Sequence, residues 1–384
     1  MKSRREFLVL STLGVAACTV RRGTRAPGGS RVLHVGTYTN DGRSEGIYDV
    51  RMDEPTGTLT LAGVTAQAAN PSFLAPSRDG RFVYVVNETT EYEGRQSGAV
   101  SAFRRLDGGQ LTLLARQASR GGAPCYISLD GNERFALVAN YVGGSVAVFP
   151  IGGNGSIGTP TAFVQHVGRG PNAQRQEGPH AHCIMTDPSN RFVLAADLGI
   201  DRIVVYRFDP EIGALARAGE GVLAPGAGPR HFVFDRDARN VYVVNELSST
   251  LTVFAWNADS GTLAERQTVT TLPESFSGEN SPADIHFHPS GAFLYMSNRG
   301  QNSIVAYAVA SDGLLTPLQT ISSGGNWPRN FVIDPGGRFL YVANQRSDSI
   351  VGFSIDARTG RLTPARQQLS VPMPVCLRFA PSNT

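Results

Sequence analysis

The sequence predicts an all-β fold, a single seven-bladed β-propeller closed into a ring, and three observations carry that prediction. The first is composition: 384 residues hold 43 glycines and 23 prolines, with no long apolar stretch at helical spacing. Chains of this kind are built from many short strands joined by turns. The second is a turn signature, Gly-x-Leu or Gly-x-Ile, that recurs along the chain at roughly 50-residue spacing, a period associated with propeller blades. The third is a longer repeat that is found whole several times and then once in two halves, at opposite ends of the chain.

The turns come in order at Gly57-Thr-Leu59, Gly109-Gln-Leu111, Gly155-Ser-Ile157, Gly213-Ala-Leu215, Gly261-Thr-Leu263, Gly313-Leu-Leu315 and Gly360-Arg-Leu362. In each, Gly supplies a positive φ and the apolar residue starts the return strand. The longer repeat reads Pro-x, an apolar run, a turn, then a β-rich run ending in Asn or Asp. Its copies include "PSFLAPSRDGRFVYVVNE", "PRHFVFDRDARNVYVVNE" and "PRNFVIDPGGRFLYVANQ". The tail "PVCLRFAP" is the first half of a seventh copy, and "RVLHVGTYT" near the start is its second half. The last strand is therefore expected to pair with the first, leaving no exposed sheet edge. This places one propeller domain at 31–382.

The residues before it read as a targeting segment and a linker, 1–18 and 19–30. "SRREFL", with Arg4 and Arg5, resembles a twin-arginine export signal, and "VAAC" resembles a bacterial lipobox that would make Cys18 an acylated first residue. The apolar run from Phe7 to Ala17 is too short to span a bilayer. Export to the periplasm, or to a membrane surface through a lipid on Cys18, is the expectation. The formal charge is +3, and much of the excess lies in Lys2, Arg4, Arg5, Arg21, Arg22 and Arg25. The near-neutral remainder offers no stripe for nucleic acid. Cys125, Cys183 and Cys376 form no CxxC pair and read as small buried core residues. A monomer is expected.

Each repeat's Pro-x opens an inner strand, and its Asn or Asp closes the second strand of the same hairpin. Both positions fall at one mouth of the central channel. The residue after Pro is Ser72, Cys125, Arg230, Ala283, Arg329 or Val375, and the residue after Asn or Asp is Glu88, Tyr141, Leu198, Glu246, Arg299 or Gln345. The fourth copy, "PHAHCIMTD", departs from this spacing: Pro179 stands eight residues before Asp187, where the other copies have six. The two inserted residues leave His182 at the ring position and His180 above it. One mouth thus collects His180, His182, Arg230, His231, Glu246, Arg299, Arg329 and Glu88.

Histidine exchanges protons near neutral pH, and arginine offers a forked, permanent donor to carboxylate, phosphate or a developing oxyanion. Glu246 faces Arg230, where it can orient the guanidinium, hold a water or act as base. Three arginines converging on one mouth point to an anionic ligand. Cationic neighbours disfavour a metal on His-x-His, and no cofactor motif is present, so neither metal nor cofactor is expected. Asp197, Asn245, Asn298 and Asn344 read as structural turn caps.

"GRGPNAQRQEGPHAHC", "GPRHFVFDRDARNVYVVNE", "SNRGQNSIVAY" and "PRNFVIDPGGRFLYVANQRSDSIVGF" resemble the lactonase family of seven-bladed propellers over nearly the whole mature chain. That family includes bacterial 6-phosphogluconolactonases and fungal carboxy-muconate lactonizing enzymes. The resemblance implies an active site made of a histidine of PHxH, the Arg of GPRH, the Glu of VNE and the Arg of SNR. Here these are His182 (or His180), Arg230, Glu246 and Arg299. It implies hydrolysis of a small anionic lactone, with His182 activating water, Arg230 and Arg299 at the oxyanion, and Arg329, Arg175 and Gln176 gripping a remote anion. Lactone formation by a cycloisomerase stays open. So does a non-catalytic surface module, because "YVVN", "YMSN" and "YVAN" resemble the YVTN repeats of surface-layer propellers. The inserted PHAH with its paired Arg and Glu argues for the enzyme.

Overall fold

The computed structural model describes residues 29–381. Arg4, Arg5 and Cys18, on which the export and lipidation expectations rest, lie outside the described residues. Twenty-eight strands form seven four-stranded sheets, the blades, and the only helical element among the described residues is a 3-10 turn at Gln345–Ser347. Blade 1 is made of Pro374–Phe379, Ser30–Thr37, Gly46–Asp53 and Leu59–Gln67 in that order. The closing strand pairs antiparallel with the first, Leu33 opposite Phe379 and Gly36 opposite Cys376. The ring closes as the split repeat predicts.

Burial follows from each strand's place in the blade. Second strands such as Phe82–Asn87 and Asn240–Asn245 are buried along their whole length, and read as continuous β-branched and aromatic runs. Outer strands such as Thr262–Thr270 alternate with exposed residues. In blade 3 the outer strand is short, Ala162–Gln165. The chain then continues through the loop that carries Arg175 and reaches the inserted residues before Ala181.

Neighbouring blades are locked by the same residues that mark the repeat. All seven turn glycines have positive φ, between 69° and 88°. Most of them also lie against the start of the preceding blade's second strand. A Cβ on Gly57 would fall 2.6 Å from the Phe339 ring, and one on Gly155 would fall 2.1 Å from Phe82. The tyrosine two residues further along the second strand donates to the turn carbonyl: Tyr341 to Gly57 (2.7 Å), Tyr295 to Gly360 (2.7 Å), Tyr242 to Gly313 (2.8 Å) and Tyr84 to Gly155 (3.2 Å). Turn geometry and blade docking are therefore one requirement.

One feature was not expected from sequence. In every blade the inner strand carries one residue more than its partner just after it begins, as the register shifts at Pro71/Phe73, Pro124/Tyr126, Ala181/Cys183, Pro229/Phe232, Pro282/Ile285, Pro328/Asn330 and Gly36/Thr37 show. Such a bulge re-aims the unpaired side chain, here into the channel.

Replacing Gly57 with alanine forces a β-carbon into the Phe339 ring at a φ of +71°. Gly57→Ala is expected to cost about 2 kcal/mol or more in urea unfolding. Gly108→Ala, where a Cβ meets no atom within 4 Å, is the control and should be nearly neutral.

Candidate active site

The bulge residues and the residues closing the second strands meet at one end of the channel around a pocket of about 230 Å³. Tyr38, Glu88, Cys125, Tyr141, Arg175, His182, Glu246, Arg299 and Arg329 line it. Two larger grooves, of about 750 and 700 Å³, lie between the loops of blades 5 and 6 and of blades 2 and 3, but their charged side chains are exposed or half-exposed. The channel pocket, in contrast, is built largely from buried charge.

Its organising group is Glu246. Arg175 Nη2 donates to Oε1 at 2.6 Å, and Arg299 Nη2 donates to Oε2 at 2.6 Å. Arg230 Nε lies 3.0 Å from Oε2 but out of line for a hydrogen bond, so that contact is ionic. Burial opposes ionisation of Glu246, yet Arg299, Arg230 and Arg175 outweigh it and hold the carboxyl well below the usual carboxylate range. A permanently ionised, triply paired carboxylate is a poor base; its place is to orient guanidiniums. Burial pushes Arg299 down to about 9, with Glu246 opposing the shift.

Arg230 is 2% exposed and sits under the pocket. Its Nη1 donates to the Ala283 carbonyl and lies 3.3 Å from His231 Nε2. His231 in turn pairs through Nδ1 with Asp284 Oδ1 at 2.8 Å. Both His231 and Asp284 are second residues of two-residue bulges. Burial and the Arg230 charge push His231 down to about 3, against the pull of Asp284, so it stays neutral and its Nε2 accepts from Arg230. The sequence placed His231 at the mouth; the structure instead makes it a support beneath the pocket, which it does not line.

Opposite Glu246, Tyr38 donates to both oxygens of Glu88 at 2.9 Å. Arg329 lies over the Tyr38 ring, and its nearest carboxylate oxygen, on Glu88, is 3.8 Å away. Its guanidinium makes no hydrogen bond to the described residues and faces the pocket. Four guanidiniums (Arg175, Arg230, Arg299, Arg329) surround two carboxylates (Glu88, Glu246), a surplus of two positive charges.

His182 is at the ring position, as its insertion implied: Ala181 takes the place of the other blades' proline, opposite Asp197. The ring is 5% exposed, deeper than a solvent-filled mouth would leave it. Burial, followed by the charge of Arg230, pushes it well below the usual histidine range, so it is neutral at pH 7. Its Nε2 makes no hydrogen bond to the described residues. His180 stands behind Tyr141, stacked on that ring at 4.6 Å with Nδ1 3.0 Å from the Tyr141 carbonyl and Nε2 3.2 Å from Glu177. It steadies Tyr141, which accepts from Arg175 at 3.2 Å.

Gln176 is corrected outright. It is fully buried and turned away from the pocket, donating to Leu198 O at 2.8 Å and Asp201 Oδ1 at 2.7 Å, where it anchors the loop that delivers Arg175. Cys183 and Cys376 are buried in the core, but Cys125, also buried, lines the pocket as well. The sequence reading missed Tyr38 and Tyr141 as site residues. Tyr141 follows Asn140 in the register, and Tyr38 is its blade-1 counterpart after Thr37, so the repeat carried the signal.

The fold and site are those of a β-propeller with a cationic pocket and a buried neutral histidine. The family described as "Lactonase, 7-bladed beta-propeller" matches residues 32–379, and the chain belongs to that family. It is a lactonase-type enzyme, a hydrolase of carboxylic esters. It is 37% identical to a 6-phosphogluconolactonase of Bacillus subtilis over 90% of this chain and 97% of the relative. A putative 6-phosphogluconolactonase from Bacteroides fragilis superposes with a TM-score of 0.84 at 38% identity, covering 91% of this chain and 98% of the other. A periplasmic gluconolactonase from Pseudomonas aeruginosa superposes with a TM-score of 0.85 at 34% identity, covering 92% and 99%.

The buried neutral histidines contribute to a loss of stability in acid. His182 and His231 have folded pKa values below the unfolded one, so the unfolded chain binds the extra proton and stability falls as pH drops below about 6.5. For His231 the loss continues to about 3. His182→Gln removes one such proton. Between pH 6 and 4.5 its stability should fall less steeply than that of the wild type, by up to about 1.4 kcal/mol per pH unit, in urea melts across that range.

Proposed function

We propose that this enzyme hydrolyses a sugar lactone bearing an anionic group, at the channel-mouth pocket. The observation that carries the reading is the surplus of two positive charges around His182, with Arg329 making no hydrogen bond to the described residues. An anionic substituent, phosphate or carboxylate, neutralises that surplus and accepts the Arg329 fork. The 6-phosphogluconolactonase of Bacillus subtilis supports this substrate class, while the Pseudomonas gluconolactonase supports an unphosphorylated sugar as the alternative.

In this reading, His182 Nε2 takes a proton from a water as its oxygen bonds to the lactone carbonyl carbon. The oxyanion that develops is met by the guanidinium of Arg299, held by Glu246, and by Arg175 from the long loop. Collapse of the tetrahedral intermediate breaks the bond from carbonyl carbon to ring oxygen, and the imidazolium returns its proton to that oxygen. The product is the open hydroxy acid. Surrounding arginines disfavour the imidazolium, which promotes its rapid deprotonation by the leaving alkoxide. Arg230 acts from below, keeping Glu246 and the pocket floor in place.

A panel of aldonolactones tests the proposal. Phosphorylated or carboxylated lactones should show higher kcat/KM than the plain sugar lactone, and Arg329→Ala should erase that preference. Equal turnover of plain and anionic lactones would remove the anion from the reading. His182→Gln should lower kcat by about 10²–10⁴-fold, the usual contribution of a general base. Because His182 titrates below its usual range, the acid limb of the wild-type kcat/KM profile should lie below pH 6.5. Arg230→Lys should also be costly, since a compact ammonium cannot span the positions that the planar fork holds beside Glu246 and against Ala283 and His231.

We also propose that the chain is exported by a twin-arginine route and begins, once processed, at acylated Cys18. "SRREFL" followed by "VAAC" supports this, as does the periplasmic relative. Mass spectrometry of the membrane fraction should find a lipid-modified N-terminal cysteine; an unprocessed N-terminus would reject export, and cleavage without acylation would reject the anchor.

A further inference from the structure

Cys125 and His182 hold the bulge positions of adjacent blades and line the same pocket. Cys125 Sγ lies 3.6 Å from His182 Nδ1, 3.5 Å from the His182 carbonyl oxygen and 3.8 Å from the Ala181 carbonyl oxygen. A thiol has one proton to give, and the two carbonyl oxygens can only accept. Burial lifts the Cys125 thiol well above its usual range, with Glu88 adding to the shift, so sulphur remains S–H. That makes it a poor nucleophile and a usable hydrogen-bond partner.

With S–H directed at the carbonyl, sulphur presents a lone pair to Nδ1, and the contact is satisfied when Nδ1 carries hydrogen. We propose that Cys125 is a positioning residue that fixes His182 as the Nδ1–H tautomer, leaving the Nε2 lone pair directed into the pocket. The reverse arrangement, S–H donating to Nδ1, places hydrogen on Nε2 and leaves it no lone pair for a water proton. The functional consequence rests on His182 being the base, whereas the tautomer does not.

Two-bond ¹H–¹⁵N correlation spectra of the ¹⁵N-histidine-labelled protein at pH 7 read the tautomer directly, with His182→Gln assigning the signal. The expected wild-type result is a protonated Nδ1 and a bare Nε2. Cys125→Ala should raise the Nε2–H population and lower kcat roughly five- to tenfold with KM unchanged, the size of one modest hydrogen bond. Cys125→Ser, which keeps a donor and an acceptor, should restore both. A wild-type ring protonated on Nε2, or a tautomer unmoved in Cys125→Ala, would overturn the assignment. The wild-type spectrum decides even if a variant fails to fold. A wild-type Nδ1–H tautomer lost in Cys125→Ala, together with full turnover in His182→Gln, would uphold the positioning role and remove the base.

Discussion

In every blade the residue that opens the inner strand lies beside the one that closes the second strand, and a bulge follows at once. The pocket depends on that single register. It gives the backbone two outlets per blade at the channel mouth, and closure of the ring brings them to a common centre. Cys125, His182 and Arg329 use the first outlet, while Tyr38, Glu88, Tyr141, Glu246 and Arg299 use the second. A slip of one residue would turn each of these side chains into a blade interface and bring core residues to water. Because the second strands are buried throughout, such a slip is strongly opposed. The scaffold's hydrophobic core thus enforces the geometry of a polar site it hardly touches.

Charge at this site is arranged against its own tendency to disperse. Glu246 and the guanidiniums of Arg230 and Arg299 are nearly water-free, and each would be costly alone. Together their opposite charges offset that cost, which is why the carboxylate stays ionised in spite of its burial. Breaking such a cluster by removing one member typically costs about 3–5 kcal/mol, since the remaining charges keep their burial and lose their partner. Below it, Asp284 gathers a second buried cluster: His231, His286 at 2.9 Å and Asn330 all converge on its two oxygens. That carboxylate ties blades 5, 6 and 7 together under the pocket floor, and Asn330 passes the link to the closing strand through Leu377 N at 2.7 Å.

What sequence could and could not reveal follows from which constraints are periodic. The blade count was legible because each turn demands a residue at positive φ and each docking surface demands a small one, so glycine recurs. His182 was legible because the insertion of Pro179 and His180 broke a spacing that the other blades keep. Tyr38 escaped notice because blade 1 is split between the chain ends and its second strand closes on Thr37, without the Asn or Asp marking the others. Tyr141 had the right register but no charge to draw attention. Gln176 sits in a loop with no repeat behind it, where adjacency to Arg175 says nothing about direction; consecutive residues there point oppositely. The bulges, which decide that Arg230 and His231 lie deep, leave no mark in the pattern of apolar residues. The contact of Cys125 with His182 joins two adjacent blades and is a matter of ångströms at their shared edge of the channel.

The closing strand has a consequence for how the molecule is made. Ser30–Thr37 emerges from the ribosome before the other six blades, and its partner Pro374–Phe379 emerges after them. At ordinary elongation rates the first strand waits roughly 20–70 s for the segment that completes its sheet. Throughout that interval the growing chain is an open fan with two bare edges, each able to recruit a strand from another molecule. Crowding of nascent chains on one messenger would favour such exchange. The longer the intervening blades take to be made, the longer that first strand stays open to exchange.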